Sequence, residues 1–259
     1  MHVLLPPSEA KSVGGRGRPL VRQSPHPLLA ADRERVLDAL ATLVRGRPDR
    51  AAAALLLPPA VTADALAANT DVRTAPTLPA LRRYQGVVYD GLDFASLNER
   101  EQRLAARSLW VFSGLFGVVR GDEAVPQYRV PAKAVLPGIG VAATYWRPRL
   151  DVVLPQLLRG RGPVIDLRSS DYAAMWRPRG ELAERTISVR VLSPLPAGGT
   201  GVVSYPSKFA KGRLASALVR RAAGGASVTG IEDVAAAWLA TGGPDADIAA
   251  PGRVVLYTA

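Results

Sequence analysis

The sequence predicts an α/β (or α+β) fold, read as one compact domain over residues 1–259 with a mixed β-sheet flanked by helices. Three observations predict it. Short apolar runs of strand length alternate along the chain with segments of helical period. Apolar residues make up 48% of 259, enough to fill a substantial core. Neither an internal repeat nor a shift of composition marks a boundary between domains.

"HVLLPP" (2–7) reads as a short buried strand stopped by proline. A glycine-rich basic loop, "SEAKSVGGRGRPL", follows. Residues 28–46 carry apolar side chains at helical spacing and end at Gly46 and Pro48. "RAAAALLL" and "PAVTADALAANTDV" supply further helix, and "TAPTLPALRRY" a proline-punctuated lead into a short one. "NEREQRLAARS" is a polar helix with Asn98 as its N-cap. "LWVFSGLFGVV" (109–119) is uniformly apolar and reads as one buried strand. "GPVIDLRSSDYAAMW" reads as a strand leaving into a loop or helix. "RTISVRVLS" alternates like a strand. "SKFAKGRLASALVRRAAGG" is a basic helix with a glycine stop, "TGIEDVAAAWLATGG" another helix, and "GRVVLYTA" a final strand.

Composition narrows the chemistry. With no cysteine, disulfides, thiolate nucleophiles and cysteine metal sites are excluded. The two histidines, His2 and His26, argue against a Ser–His–Asp triad, and the carboxylates fall in no calcium-loop spacing. No metal and no cofactor is expected. The N-terminus lacks the basic start and long apolar run of a signal peptide, and no segment has the roughly 18 apolar residues of a membrane span. A cytoplasmic protein without a membrane partner is expected. The net charge is +11, and of 33 basic residues only Lys11, Lys133, Lys208 and Lys211 are lysine. Such a balance favours nucleic acid or small anions as partners, against the plainer reading of charges scattered for solubility.

Four clusters carry possible chemistry. "SGLFGVVRGDEAVPQYRV" (113–130) places Arg120, Asp122, Tyr128 and Arg129 within ten residues. The arginines match phosphate or carboxylate and Tyr128 could stack on a base, or an Arg–Asp pair could simply staple the loop. "IDLRSSDYAAMW" sets Ser170, Asp171 and Tyr172 after a strand, where α/β sheets bind ligands, although Ser or Asp there also caps helices. "YPSKFAKGRLASALVRR" opens a helix with Lys208, Lys211 and Arg213, suited to an anion or to a solvated basic face. "PPSEAKS" puts Ser8, Glu9 and Lys11 at the end of the first strand, without the further motifs that would make Ser8 a nucleophile. A fifth string, "LPGIGVAATYW" (136–146), resembles the hairpin of a helix-hairpin-helix motif, but its upstream segment is a poor helix, and a turn before a helix is the simpler account.

In order, these strings resemble the YaaA family of peroxide-stress proteins. The resemblance rests on "VLLPPSEAKS", "YQGVVYDGL" (84–92), "FSGLFGVVRGDEAVPQYRV", "YW" (145–146), "VIDLRSSDYA" and "SKFAKGRLA". It spans the chain, with little contributed by residues 25–80. It departs from the family pattern at Asp171, at Phe209–Ala210, after Arg129 and at Gly242–Gly243. The resemblance implies a compact α/β domain with a positively charged cleft, an association with DNA, and a role in limiting oxidative damage and intracellular iron, for which this chain lacks evident iron ligands.

Two functions follow as expectations. In the first, the cleft binds DNA through Ser8, Lys11, Arg120, Tyr128, Arg129, Ser170, Tyr172, Lys208, Lys211 and Arg213, with Tyr128 or Trp146 stacking on a base. In the second, the same groups hold a nucleotide or another phosphate-bearing metabolite, and Asp122 or Asp171 acts as general base.

Overall fold

The computed structural model describes residues 1–22 and 27–258; His26 lies outside them. Among the described residues twelve strands form: β1 (His2–Leu5), β2 (Leu78–Pro79), β3 (Leu109–Ser113), β4 (Gly117–Arg120), β5 (Ala124–Val125), β6 (Val135–Leu136), β7 (Gly140–Val141), β8 (Val164–Asp166), β9 (Thr186–Pro194), β10 (Thr200–Gly201), β11 (Asp245–Ala250) and β12 (Arg253–Tyr257). The helices are α1 (Ala30–Val44), α2 (Pro48–Ala54), α3 (Thr62–Thr70), α4 (Ala80–Arg83), α5 (Val87–Leu92), α6 (Glu99–Ser108), α7 (Ala142–Leu157), α8 (Ser170–Ala173), α9 (Glu181–Glu184), α10 (Ser204–Ala223) and α11 (Ile231–Leu239).

Eight strands make one mixed sheet in the order β11-β12-β9-β8-β1-β3-β4, with β10 paired to β9. β12, β9, β8, β1 and β3 run parallel, and β4 and β11 close the edges antiparallel. The central strands are largely apolar, as strands covered by helices are: Val3, Leu4 and Leu5 of β1 and Val111 and Phe112 of β3 are fully buried. One continuous hydrophobic core runs from Val3 to Leu256.

The chain leaves β1 toward β3 on one side and leaves β8 toward β9 on the other. The strand order therefore reverses between β1 and β8, and a crevice opens beyond their carboxyl ends. β9 deepens it. Its last residue paired with β8 is Ser188, opposite Asp166, and residues 189–194 run on past the end of that strand.

The apolar run 109–119 is two strands, not one. The Ser113 hydroxyl accepts hydrogen bonds from the amides of Leu115 and Phe116, at 3.2 and 3.0 Å, and turns the chain. Gly117 follows at φ 72°, with the Trp146 ring so close that a Cβ there would lie 2.7 Å from it. The edge strand β11 gave no apolar alternation in the sequence because most of it is exposed. The polar helix α6 begins as expected: the Asn98 side chain accepts from the Glu101 amide, and the Glu101 carboxylate accepts from the Asn98 amide.

α10 packs on β9 and lies closest to α5. Two glycines set that approach. A Cβ on Gly212 would fall 2.0 Å from the Val88 carbonyl oxygen, and one on Gly91 would fall 2.2 Å from that of Phe209. Among the described residues no single helix is long and apolar enough to cross a membrane.

Candidate functional site

The crevice between β1 and β8 is a cleft of about 840 Å³. One wall is the turn after β1, where Ser8 and Glu9 line it. The second is the turn after β8, with Arg168, Ser169, Ser170 and Tyr172. The overhang of β9 adds Arg190, and α10 closes the far side. From α10 come Ser204, Ser207, Lys208 and Lys211, spaced so that a helix carries all four on one face. Lys208 and Arg190 are exposed and form no ion pair among the described residues.

The wall after β8 is held by a residue that the sequence reading passed over. Arg168 is buried. Its guanidinium grips Asp166 through two bonds of 2.8 and 2.6 Å, donates to the Tyr172 carbonyl at 3.2 Å and faces the Phe112 ring at 4.3 Å. The Lys211 ammonium donates to the Arg168 carbonyl at 3.1 Å. Burial pulls its pKa below the usual lysine value, partly offset by the Asp166 carboxylate.

The wall after β1 is fixed from below. Lys11 and Tyr84 form an isolated antiparallel bridge, and Arg83, fully buried, donates to the carbonyls of Ser12, Gly14 (2.8 Å), Pro76 (3.0 Å) and Val125 (2.9 Å). The Lys11 stem keeps some exposure, but its ammonium is enclosed. It donates to the Ser8 carbonyl at 2.8 Å and lies 4.2 Å from the centre of the Tyr128 ring and 5.2 Å from that of Tyr84. Burial lowers its pKa to about 7, against the opposing pull of Glu9.

Beneath Lys11 runs a chain of hydroxyls. Tyr84 and Tyr128 meet at 2.7 Å, Tyr128 and Ser113 at 2.6 Å, and Tyr89 donates to the Pro6 carbonyl at 2.9 Å. Burial raises the pKa of all three tyrosines and of Tyr172, so these phenols stay protonated. Gly86, at φ 102°, brings its backbone against the Ser8 hydroxyl: a Cβ there would lie 3.0 Å from that oxygen.

A side hollow of about 240 Å³ shares Glu9 and Tyr172 with the cleft and adds Arg129, Lys133 and Asp171. Arg129 pairs with Glu9 at 3.6 Å and Lys133 with Asp171 at 2.8 Å. Asn69 of α3 clamps the Arg129 backbone through both its amide groups, at 3.0 and 2.8 Å.

The expected site residues therefore divide. Ser8, Ser170, Tyr172, Lys208 and Lys211 line the cleft, Arg129 and Asp171 line its side hollow, and Lys11 lies under its floor. Arg120 and Asp122 do not join them. β4 is antiparallel, so it carries Arg120 back opposite Trp110, near the start of β3 and about 10 Å along the strands from Ser113. There Arg120 and Asp122 grip each other at 2.7 and 3.0 Å on the surface, which raises the arginine pKa. Glu123 accepts from the Arg120 amide at 3.2 Å and pairs with Arg33 of α1. Arg213 also points elsewhere, donating to the Thr241 carbonyl and facing Trp238.

Stacking on a base is not available to either aromatic residue. Tyr128 is 3% exposed with its face under Lys11, and Trp146 is fully buried with its indole N–H donated to the Gly114 carbonyl at 2.9 Å. The string 136–146 forms the small β6–β7 hairpin before α7, and residues 130–134 upstream of it are not helical. Among the described residues no group of three metal-ligating side chains comes together.

The chain that builds this cleft matches a known family over most of its length. The family model described as peroxide stress protein YaaA matches residues 1–237. The chain belongs to the YaaA peroxide-stress protein family. It is 46% identical to a UPF0246 protein of Streptomyces coelicolor over 220 residues, 85% of this chain and 83% of that one. It is 37% identical to a UPF0246 protein of Corynebacterium efficiens and 34% to one of Corynebacterium glutamicum, each over 84% of both chains. The YaaA strings "YQGVVYDGL" and "VIDLRSSDYA" acquire physical content here. The first supplies Tyr84, Gly86, Tyr89 and Gly91, which fix the β1 turn and α5; the second supplies Asp166, Arg168 and Ser170. Glu9 already stood out in the sequence beside Ser8 and Lys11, whereas nothing but its place after a strand marked Arg168.

Proposed function

We infer that the cleft binds a phosphate-bearing small molecule of nucleotide size. The observation that carries this reading is the face of α10: Ser204, Ser207, Lys208 and Lys211 all turned into a concave site of about 840 Å³ at the sheet's reversal point. Lys208 and Arg190 meet the phosphate, the first-turn amides of α10 assist, and Ser8, Ser169 and Ser170 offer hydrogen bonds to the rest of the ligand. Glu9, rather than the distant Asp122, is the carboxylate placed to take a proton from a bound molecule. Asp171, tied to Lys133, orients the side hollow. In a YaaA-family protein such a site serves the response to peroxide.

A second reading, DNA binding through the same cleft, is favoured by the net charge of +11 and by Arg190 and Lys208, which form no ion pair among the described residues. The phosphates of one strand would then follow α10, with the carboxylates acting only to orient basic groups.

A salt titration separates the two. Binding to short duplex, bulged and single-stranded DNA is measured from low to physiological salt, with mononucleotides as competitors. The small-molecule reading expects DNA affinity to collapse with salt while a nucleotide competes or is consumed. Tight DNA binding that persists at physiological salt and resists nucleotides would replace it with the second reading.

A further inference from the structure

α10 serves two cavities. Past Lys211, the residues Arg213, Ser216, Ala217 and Arg220 repeat the three- and four-residue spacing on another side of the helix and line a separate hollow of about 620 Å³. It lies against α5 and α11 and shares no lining residue with the cleft.

Its charges are incompletely matched. Arg213 has no carboxylate partner among the described residues: its guanidinium donates to the Thr241 carbonyl and lies 5.6 Å from the Trp238 ring centre. Arg220 is half exposed, donates to the Ser96 hydroxyl at 2.9 Å and approaches Glu101 only to 4.0 Å. A guanidinium carries five N–H donors, so both retain several for a ligand. Only Arg221 is closely paired, with Asp233 at 2.8 Å. Asp93, between Gly91 and Ser96, also lines the hollow. It is exposed, no partner holds its carboxylate among the described residues, and its backbone sits at φ 43°. Asp93 ends α5 in that left-handed conformation, which Asp and Asn adopt readily.

Guanidinium donors with spare capacity and a carboxylate unpartnered among the described residues, lining one hollow, suit a molecule with an anionic end and hydroxyl donors. We propose that this hollow is a second binding site, for the phosphate monoester of a small hydroxylated molecule. Arg213 and Arg220 take the phosphate and Asp93 accepts from the hydroxyls. The volume suits a sugar phosphate or a mononucleotide.

The test is calorimetric titration of the full chain with ribose 5-phosphate, and with inorganic phosphate and ribose as controls. Lys208→Gln, which touches only the cleft, leaves one binding event in place. Arg220→Gln weakens that event about tenfold, as expected for loss of a charge-assisted hydrogen bond. Asp93→Asn, which tolerates the same backbone conformation, weakens ribose 5-phosphate but not inorganic phosphate. Ribose 5-phosphate binding that is absent, or that Arg220→Gln leaves unchanged, overturns the proposal.

Discussion

The Lys11 ammonium sits 4.2 Å from the centre of the Tyr128 ring, an enclosed amine on an aromatic face with no carboxylate bonded to it. Its first consequence is a pH dependence of stability. The folded-state pKa is about 7, against an ordinary 10.5 in the unfolded chain. Between those values the unfolded state binds the extra proton, so this group makes stability rise with pH across that window. Below pH 7 both states are protonated, and the buried charge is a standing cost of a few kcal/mol at most. Lys11→Met should therefore flatten the rise in urea midpoint between pH 6 and pH 9. Parallel profiles for the two proteins would contradict the enclosed amine.

The hydroxyl chain below it should behave as a unit. Tyr128→Phe and Ser113→Ala each strand a buried partner and should cost roughly 1–3 kcal/mol. Their double variant should cost clearly less than the sum, because the 2.6 Å bond between them can be lost only once. Additive denaturation energies would show that the two hydroxyls do not share a network.

Arg120 and Asp122 provide the contrast. Their pair is exposed, so Asp122→Asn should change stability by less than about 1 kcal/mol. It should also leave ligand or DNA affinity untouched, whereas Lys208→Gln should weaken it about tenfold. A binding defect in Asp122→Asn, measured beside Lys208→Gln, would bring the far end of β4 into the site.

Gly212→Ala should be severe. The new methyl would meet the Val88 carbonyl oxygen at 2.0 Å, and relief requires α5 and α10 to separate. A loss of about 1–3 kcal/mol or more, with a lowered Tm, is expected. A normal Tm would mean that the two helices slide apart freely.

Much of the fold could be read from pattern alone because single elements carried complete signals. Asn98 announced α6, proline ended β1, and the helical spacing of 28–46 gave α1 to within two residues at each end. The hairpin within 109–119 could not be read this way. Both arms are buried on both faces, so neither alternates, and the turn depends on a serine hydroxyl bonding its own backbone. The site shows the same division. Ser8, Ser170, Lys208 and Lys211 follow from strand ends and a helix start. Arg120 and Asp122 were misleading because nearness in sequence to Tyr128 hides the reversal of β4. Arg168 has an ordinary sequence context, and only the fold closes it onto Asp166 and Phe112.

The glycine contact between α5 and α10 also governs how this molecule can flex. Where backbone meets backbone, no rotamer stands between the helices to absorb a displacement. The pair is a stiff plate with the cleft on one side and the arginine-lined hollow on the other. Any reshaping must occur at its rims, against β9 and against α11. A molecule lodged on either side pushes the whole plate rather than a single side chain.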